Sequence, residues 1–382
     1  MAVAPVNGGS VLRVPRGGRG QIVMAVLHPS APGPLPKIAP LLIAALERSG
    51  WAVEETYWGS RRSDEGLALR MLDRSLELVM ALGRLALRRG SILFVNTSHS
   101  GRSLVRDLPL ILCAKGLGHR AIVLLHGSEP DLLRASPRSP FAFVSAMLAR
   151  SANAVLLLSD EEMRAWQRRV PQGHFFLVAN PYVKHMPQVS RRARTVPTIL
   201  FVGRIIEAKG VLDLLQAFEE VAQTESCRMS LVGDGADLHA VSEWVRKHGL
   251  SDRVDLPGYV DGQELAQQYL DAVAFVLPTY SEGFPTVISE AMDAGLPIVT
   301  TRCRGMADRL AEGVNCLFVL PRDPHGLAAA VRRLLRDPDL REAMGEANRR
   351  QVEAFAPDVV VRDYLRALES VCRTPGRRRL RT

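Results

Sequence analysis

The chain reads as an α/β protein built from two doubly wound parallel-sheet domains in tandem that face a central cleft. Three observations lead there. Its 382 residues exceed what one hydrophobic core usually serves. Short, continuously apolar strands alternate with helical patterns, the mark of parallel sheets covered on both faces. A polar, basic stretch at 186–197 interrupts this alternation, which then starts again. A composition 47% hydrophobic and 23% charged fits a well-buried globular chain.

The elements follow in order. Residues 1–20 are rich in Gly, Pro and Arg and lack the apolar segment of a signal peptide, so they read as a disordered leader. The first domain spans 21–185. It opens with the apolar strand Ile22–Leu27 and the Pro/Gly loop to Pro36, then a helix from Lys37 to Ser49 stopped by Gly50. Further strands are predicted at 91–96, 121–125 and 154–158, with helices at 104–116 and 160–169 between them. The stretch Arg61–Gly90 is amphipathic, with Leu69, Leu72, Leu76, Val79 and Met80 at helical spacing among arginines. It reads as one or two core-facing helices with a basic outer face, or as a surface that docks on anionic membrane.

After the 186–197 linker, the second domain (198–356) is predicted to hold strands at 198–202, 229–232, 254–256, 272–277 and 296–300. Helices are predicted at 211–223, 238–248, 262–270, 325–337 and 339–355. A last helix covers 357–372, and a basic tail covers 373–382.

Charge is uneven. Residues 1–185 carry 23 Lys+Arg against 13 Asp+Glu, whereas 186–372 carry 21 against 27. The basic first half suits anionic headgroups or a phosphorylated acceptor. Nucleic acid is the weaker partner, since no nucleic-acid-binding motif accompanies the arginines. Five widely spaced cysteines support neither a disulfide framework nor a zinc site, which points to a reducing cytoplasm. No apolar run approaches the roughly 20 residues of a membrane span.

Two motifs carry the chemistry. In Pro278–Pro297 a strand ends in a polar turn, Glu282-Gly283-Phe284-Pro285-Thr286, and a helix then carries Glu290. Free N–H groups at that helix start can hold a phosphate, and the two carboxylates can accept hydrogen bonds from sugar hydroxyls. In Phe201–Gly210, Gly203-Arg204 ends a strand and Lys209-Gly210 precedes a helix. A fixed guanidinium and a compact ammonium there suit a departing diphosphate. Weaker signals are the turn Gly233-Asp234-Gly235, the loop Pro257–Val260, and His126 at a strand end. His28 and His99, also at strand ends, are acceptor-side candidates. Asp337-Pro338-Asp339 mimics a metal-binding Asp-x-Asp but sits where helix capping is expected.

Together these runs resemble the E-x7-E and G-R-x-x-x-x-K-G elements of the family 4 (group 1) retaining glycosyltransferases, over roughly residues 22–372. The resemblance implies a GT-B fold, with the C-terminal helix returning to the first domain. It also implies transfer of a sugar from a nucleoside-diphosphate donor, a co-substrate rather than a cofactor, to a hydroxyl acceptor. The acceptor would be a glycan or a lipid-linked hydroxyl, met in the cytoplasm or at the inner face of the cell membrane, with retention and without metal. Arg204 and Lys209 would stabilise the leaving diphosphate, Glu282 would position the donor sugar, and Glu290 would bind the ribose. His126 would support the transferred sugar. Gly203, Gly233, Gly235, Val260, Gly283, Phe284, Pro285 and Thr286 would complete the donor site. The family's Gly-Gly after the first strand is reduced here to Gly33, which leaves the N-terminal loop contact in doubt. A nucleotide-sugar 2-epimerase, a sugar phosphorylase and a noncatalytic nucleotide-sugar-binding protein stand as alternatives.

Overall fold

The computed structural model describes residues 19–29, 31, 33, 35–59, 67–88, 90–128, 136, 138–186 and 196–373, with 67–74 described by their backbone alone. Most of the leader, the linker arginines Arg191, Arg192 and Arg194, the tail from 374 onward, and the side chains of Leu69 and Leu72 lie outside the described residues.

Residues with both faces apolar form the inner strands of the first sheet. In β1 (Gly20–Val26) and β3 (Ile92–His99) successive side chains point to opposite faces. Ile22, Met24, Phe94 and Ile122 pack on one side of the sheet, and Val23, Ala25, Leu93 and Val123 on the other. The remaining strands are β2 (Trp51–Tyr57), β4 (Arg120–Ser128), β5 (Ala154–Leu157) and β6 (Phe175–Leu177). All pair in parallel in the order β2-β1-β3-β4-β5-β6. The helices are α1 (Leu35–Arg48), α2 (Leu67–Leu87), α3 (Gly101–Gly116), α4 (Pro140–Ser151) and α5 (Asp160–Arg169). Ser100, Ser139 and Ser159 cap the last three through their side-chain oxygens.

The second sheet repeats the plan. Its strands are β7 (Thr198–Val202), β8 (Arg228–Val232), β9 (Val254–Gly258), β10 (Ala274–Leu277), β11 (Ile298–Thr301) and β12 (Cys316–Val319). Their order, β12-β11-β10-β7-β8-β9, reverses between β7 and β10. Such a reversal opens a ligand crevice at the strand C-terminal ends. Around it lie α6 (Val211–Ala222), α7 (Leu238–Lys247), α8 (Gly262–Asp271), α9 (Thr286–Asp293), α10 (Arg304–Arg309), α11 (Pro324–Arg336) and α12 (Pro338–Gln351).

The last helix, α13 (Pro357–Arg373), packs against α1 of the first domain. Its Val361, Tyr364, Ala367, Leu368 and Val371 join that domain's core, and the Tyr364 hydroxyl donates to the Ala179 carbonyl at 3.0 Å. Burial at about 1.5–3 kcal/mol per large apolar side chain makes this strap a substantial part of the first domain's stability.

One amphipathic pattern resolves differently from its sequence reading. The 61–90 stretch contains a single described helix, α2, whose buried positions include Ala81 and Leu85. Leu76, Val79 and Met80 are 53%, 66% and 55% exposed, so they form a second apolar stripe that faces outward rather than toward the core.

Candidate functional site

The site is assembled by two loops that are tied to each other. After β7 the chain runs through Gly203 and Arg204 into a 3-10 turn at Glu207–Lys209. Its Ala208 carbonyl accepts from Tyr280 N at 3.0 Å and from the Thr279 hydroxyl at 3.2 Å, both in the loop after β10. Gly210, at φ +70, ends the turn and starts α6; a Cβ there would collide with the Pro278 carbonyl. This stitching brings Lys209 into direct ion-pair contact with Glu282. Burial and the neighbouring Arg204 guanidinium lower the Lys209 pKa to about 8, while the carboxylate in contact with it favours the charged form. The Arg204 side chain is exposed and makes no ion pair or hydrogen bond among the described residues, while its carbonyl accepts from Ile206 N at 3.0 Å.

The Gly-Asp-Gly turn forms the floor beside this pair. Gly203 N donates to the Val232 carbonyl at 3.0 Å, Ile205 N to the Asp234 carbonyl at 2.9 Å, and Gly233 N to the Gly258 carbonyl at 2.8 Å. Gly233 lies at φ +141, and a side chain at Gly233 or Gly235 would collide with the Gly203 or Ile205 carbonyl respectively. The two strand ends therefore touch backbone to backbone.

Glu282 and Gly283 lead into α9, which starts after Pro285 with no side-chain cap. Its first N–H groups are thus available to a ligand. A Cβ on Gly283 would lie 3.3 Å from Leu158 of the first domain, so this loop abuts the facing domain. Glu290 sits one turn further along and accepts from the Tyr269 hydroxyl at 2.8 Å through Oε2. Tyr269 is fully buried, and burial plus that carboxylate push its pKa well up, so it remains a donor that fixes the Glu290 rotamer.

Some donor-site candidates can contribute backbone only. The Phe284 ring is buried, stacked on Phe355 at 4.9 Å with the Arg309 guanidinium 5.6 Å from its centre. Val260 packs in the second-domain core. Pro285 and Thr286 are half-buried at the helix mouth.

On the facing domain, His126 is half-buried near the end of β4. Asn96 Nδ2 donates to the Ala25 carbonyl at 3.3 Å, which turns Asn96 Oδ1 toward His126 Nε2, also at 3.3 Å. His126 Nε2 therefore carries the proton; Nδ1 is buried, with the Asn180 side chain as the neighbouring polar group. Burial lowers the imidazole pKa to about 4, so the residue is neutral and offers a hydrogen bond instead of a fixed charge. Gly33, at φ +103, has open space around it.

His99 does not serve the site. It is fully buried against Trp166 (ring centroids 4.8 Å apart), its Nε2 is 2.8 Å from the Ser145 hydroxyl, and burial lowers its pKa to about 4. His28 is half-buried beside Tyr57, with ring centroids 5.1 Å apart. Asp337 caps α12 by accepting from Leu340 N at 2.9 Å, as expected for that Asp-Pro-Asp run. Among the described residues no cluster of three or more His, Cys, Asp or Glu side chains is arranged to hold a metal.

Contacts that span the two domains lie beyond local sequence reading. Arg304 at the start of α10 pairs with Glu162 of α5 at 3.6 Å, both side chains almost fully buried. Asp160 N donates to Asp308 Oδ2 at 2.8 Å, and Arg309 donates to the Val178 carbonyl at 2.8 Å. The sequence signal for them was slight: α10 is six residues long and opens on a residue with φ +40.

Two doubly wound domains meeting at their strand ends, with this cleft between them, define a GT-B protein. The backbone superposes on sucrose-phosphate synthase from Thermosynechococcus elongatus with a TM-score of 0.74 at 21% identity, covering 94% of this chain and 100% of that one. It superposes on Anabaena HepE, solved with UDP and glucose, at 0.72 and 17% identity, covering 92% and 100%. Residues 184–351 match the family described as Glycosyl transferases group 1, and the second domain belongs to that family. The chain is 34% identical to a glycogen synthase of Mycobacterium tuberculosis over 168 residues, 44% of this chain and 41% of that enzyme. It is 29% identical to an alpha-D-kanosaminyltransferase of Streptomyces kanamyceticus over 256 residues, 62% of this chain and 66% of the relative. The matches thus span less than two thirds of either relative's length. Among the described residues no helix is long and apolar enough to cross a membrane.

Proposed function

We propose that the chain is a family 4 glycosyltransferase that moves a sugar from a nucleoside-diphosphate donor to a hydroxyl acceptor, with retention and without a metal. The observation that carries this is the Lys209–Glu282 contact beside the unpaired Arg204, at the mouth of α9. Two cations, one carboxylate and the helix N–H groups converge where a diphosphate joined to a sugar would lie. The UDP and glucose held by HepE make the same ligand class reasonable here.

In this reading the bond from the anomeric carbon to the diphosphate oxygen breaks as the acceptor oxygen approaches the same face. The acceptor's proton passes to the leaving phosphate oxygen. Arg204, Lys209 and the α9 N–H groups offset the charge that develops there. Glu282 holds donor hydroxyls, and Glu290, oriented by Tyr269, takes the ribose. His126, at the end of β4, supports the transferred sugar from the facing domain. The cations replace a divalent metal, and the acceptor is a glycan or a lipid-linked hydroxyl.

The test is a donor screen that measures released nucleoside diphosphate, with and without EDTA. Arg204→Ala is expected to lose about 10²–10³ in kcat, the usual cost of removing one such charge-stabilising donor. NMR of the product anomer checks retention. Full turnover by the alanine variant, or loss of turnover in EDTA, would overturn the mechanism.

A further inference from the structure

The chain passes between its two domains twice, and both crossings rest on the segment that carries Glu282 and Glu290. At the first crossing, Val178 belongs to the first-domain core, whereas Ala179 and Tyr182 belong to the second. At the other, Phe355 and Val360 lie in the second-domain core, and Val361 and Tyr364 in the first. The crossings are tied together: Tyr182 N donates to the Phe355 carbonyl at 2.8 Å, and Lys184 pairs with Glu353. A change in the angle between the domains has to act through these residues.

Each crossing grips one end of the 282–293 segment. At its start, the Phe355 ring stacks on Phe284 with centroids 4.9 Å apart. At its end, a single oxygen, Asp293 Oδ2, accepts three hydrogen bonds from the first crossing. They come from the Tyr182 hydroxyl at 3.0 Å, His185 N at 2.9 Å and Met186 N at 3.0 Å.

Asp293 is out of place by the rules of its own helix. It is the last residue of α9, where the helix dipole turns its negative end and a carboxylate is unfavourable. The helix closes without it, because Ala294 N donates to the Glu290 and Met292 carbonyls. The acid is explained by the crossing it holds.

Glu290 lies three residues earlier, so the two carboxylates share one face of α9. Tyr182 sits against both. It is buried, and its hydroxyl also lies 3.1 Å from His185 Nδ1. Burial, Asp293 and Glu290 together hold its pKa well above the usual phenol value, so it stays a donor. Tyr269 fixes Glu290 within the second domain, while Tyr182 joins Asp293 to the crossing. Because α9 is only eight residues long, a shift of Glu290 is a shift of Asp293 too.

We propose that Asp293 is a positioning residue that couples occupation of the Glu290 site to the crossing at Tyr182–Met186. Binding the donor's nucleotide then brings the facing domain into place for transfer. The proposal rests on the transferase reading, which supplies the nucleotide. Without this hook the nucleotide still binds the second domain, but no longer draws the first domain with it. Affinity is therefore kept while turnover falls, the reverse of what mere support of Glu290 would give.

The test uses the full chain, with UDP, ADP, GDP and TDP as probes. Calorimetry measures binding, and mass spectrometry measures amide exchange over residues 182–186. In the wild type, the nucleotide that binds should slow exchange at His185 and Met186 at least about tenfold. Asp293→Ala should keep its affinity within about threefold, show no such slowing, and lose at least about tenfold in kcat at unchanged donor KM. Asp293→Asn keeps an acceptor oxygen in place and should restore both. Tyr182→Phe removes one hydroxyl; it should reproduce part of the Asp293→Ala loss and add nothing to it in the double variant. These two milder variants decide the matter even where Asp293→Ala folds poorly. Nucleotide bound without slowing at 182–186, or affinity and kcat falling together, would overturn the proposal and leave the transferase reading standing. Binding of none of the four nucleotides by the wild type would overturn that reading, and this proposal with it.

Discussion

The Lys209–Glu282 contact makes a quantitative prediction, because the two groups oppose each other's effect on a diphosphate. The Glu282 carboxylate contacts the Lys209 ammonium directly. Replacing Lys209 by Met removes a cation from the leaving group, worth about 10²–10³ in kcat. It also leaves the Glu282 carboxylate facing the diphosphate with no charge between them. At an effective dielectric near 20, a like-charge pair about 4 Å apart costs on the order of 4 kcal/mol, so even partial exposure of the two adds one to two kcal/mol. Glu282→Gln alone loses a sugar contact but frees Lys209 for the phosphate. The double variant should therefore fall short of the product of the two single effects by about 5–30-fold, the one to two kcal/mol of repulsion that Glu282→Gln relieves. The assay is kcat/KM for the donor in a complete double-mutant cycle, from initial rates of nucleoside diphosphate release. Independent sites add within about 0.3–0.5 kcal/mol. Additivity inside that band would refute the idea that the two side chains face the same phosphate.

Two further expectations follow from the same site. Gly233→Ala places a Cβ against the Gly203 carbonyl at a backbone conformation that L residues rarely adopt, and such strain costs about 1–3 kcal/mol before any clash is relieved. It should lower the melting temperature and, by displacing Arg204, cut kcat/KM at least about a hundredfold; calorimetry and donor kinetics check both. His126, with its pKa lowered to about 4, contributes as the neutral form, which is present above that pH and lost as pH falls through it. The pH–rate profile should show no inflection near 6.5 that is abolished in His126→Asn, and finding one would show an ordinary, solvated imidazole.

The arrangement of the second-domain motifs was legible because it is local. Gly203-Arg204 and Lys209-Gly210 flank one turn, and Glu282 and Glu290 flank one helix start, so residue type and spacing already constrain their neighbours. The strand Thr198–Val202 and the helix from Val211 appear as expected for the same reason. What escaped depends on partners far along the chain. β2 is an edge strand carrying Glu54 and Glu55, and β6 is only three residues long, so neither has the continuous apolar run of an inner strand. The outward stripe of α2 carries the same residue types as a core-facing one, and only packing against the sheet selects Ala81 and Leu85. His99 and His126 both lie on strands near their C-terminal ends, yet a shelter of Trp166 and Ser145 makes the first a core residue. Tyr269, which orients Glu290, is on a helix 21 residues earlier and has no motif of its own.

The buried Glu162–Arg304 pair bears on how the two domains meet. Breaking it within the protein would strand a charge at a cost of about 3–5 kcal/mol, yet burial holds the Glu162 carboxyl above the usual carboxylate range even with the Arg304 guanidinium beside it. The attraction and the hydration largely cancel. The pair therefore acts as a locating pin more than a clasp: it specifies the position at which α10 meets α5 while adding little to the strength of that contact.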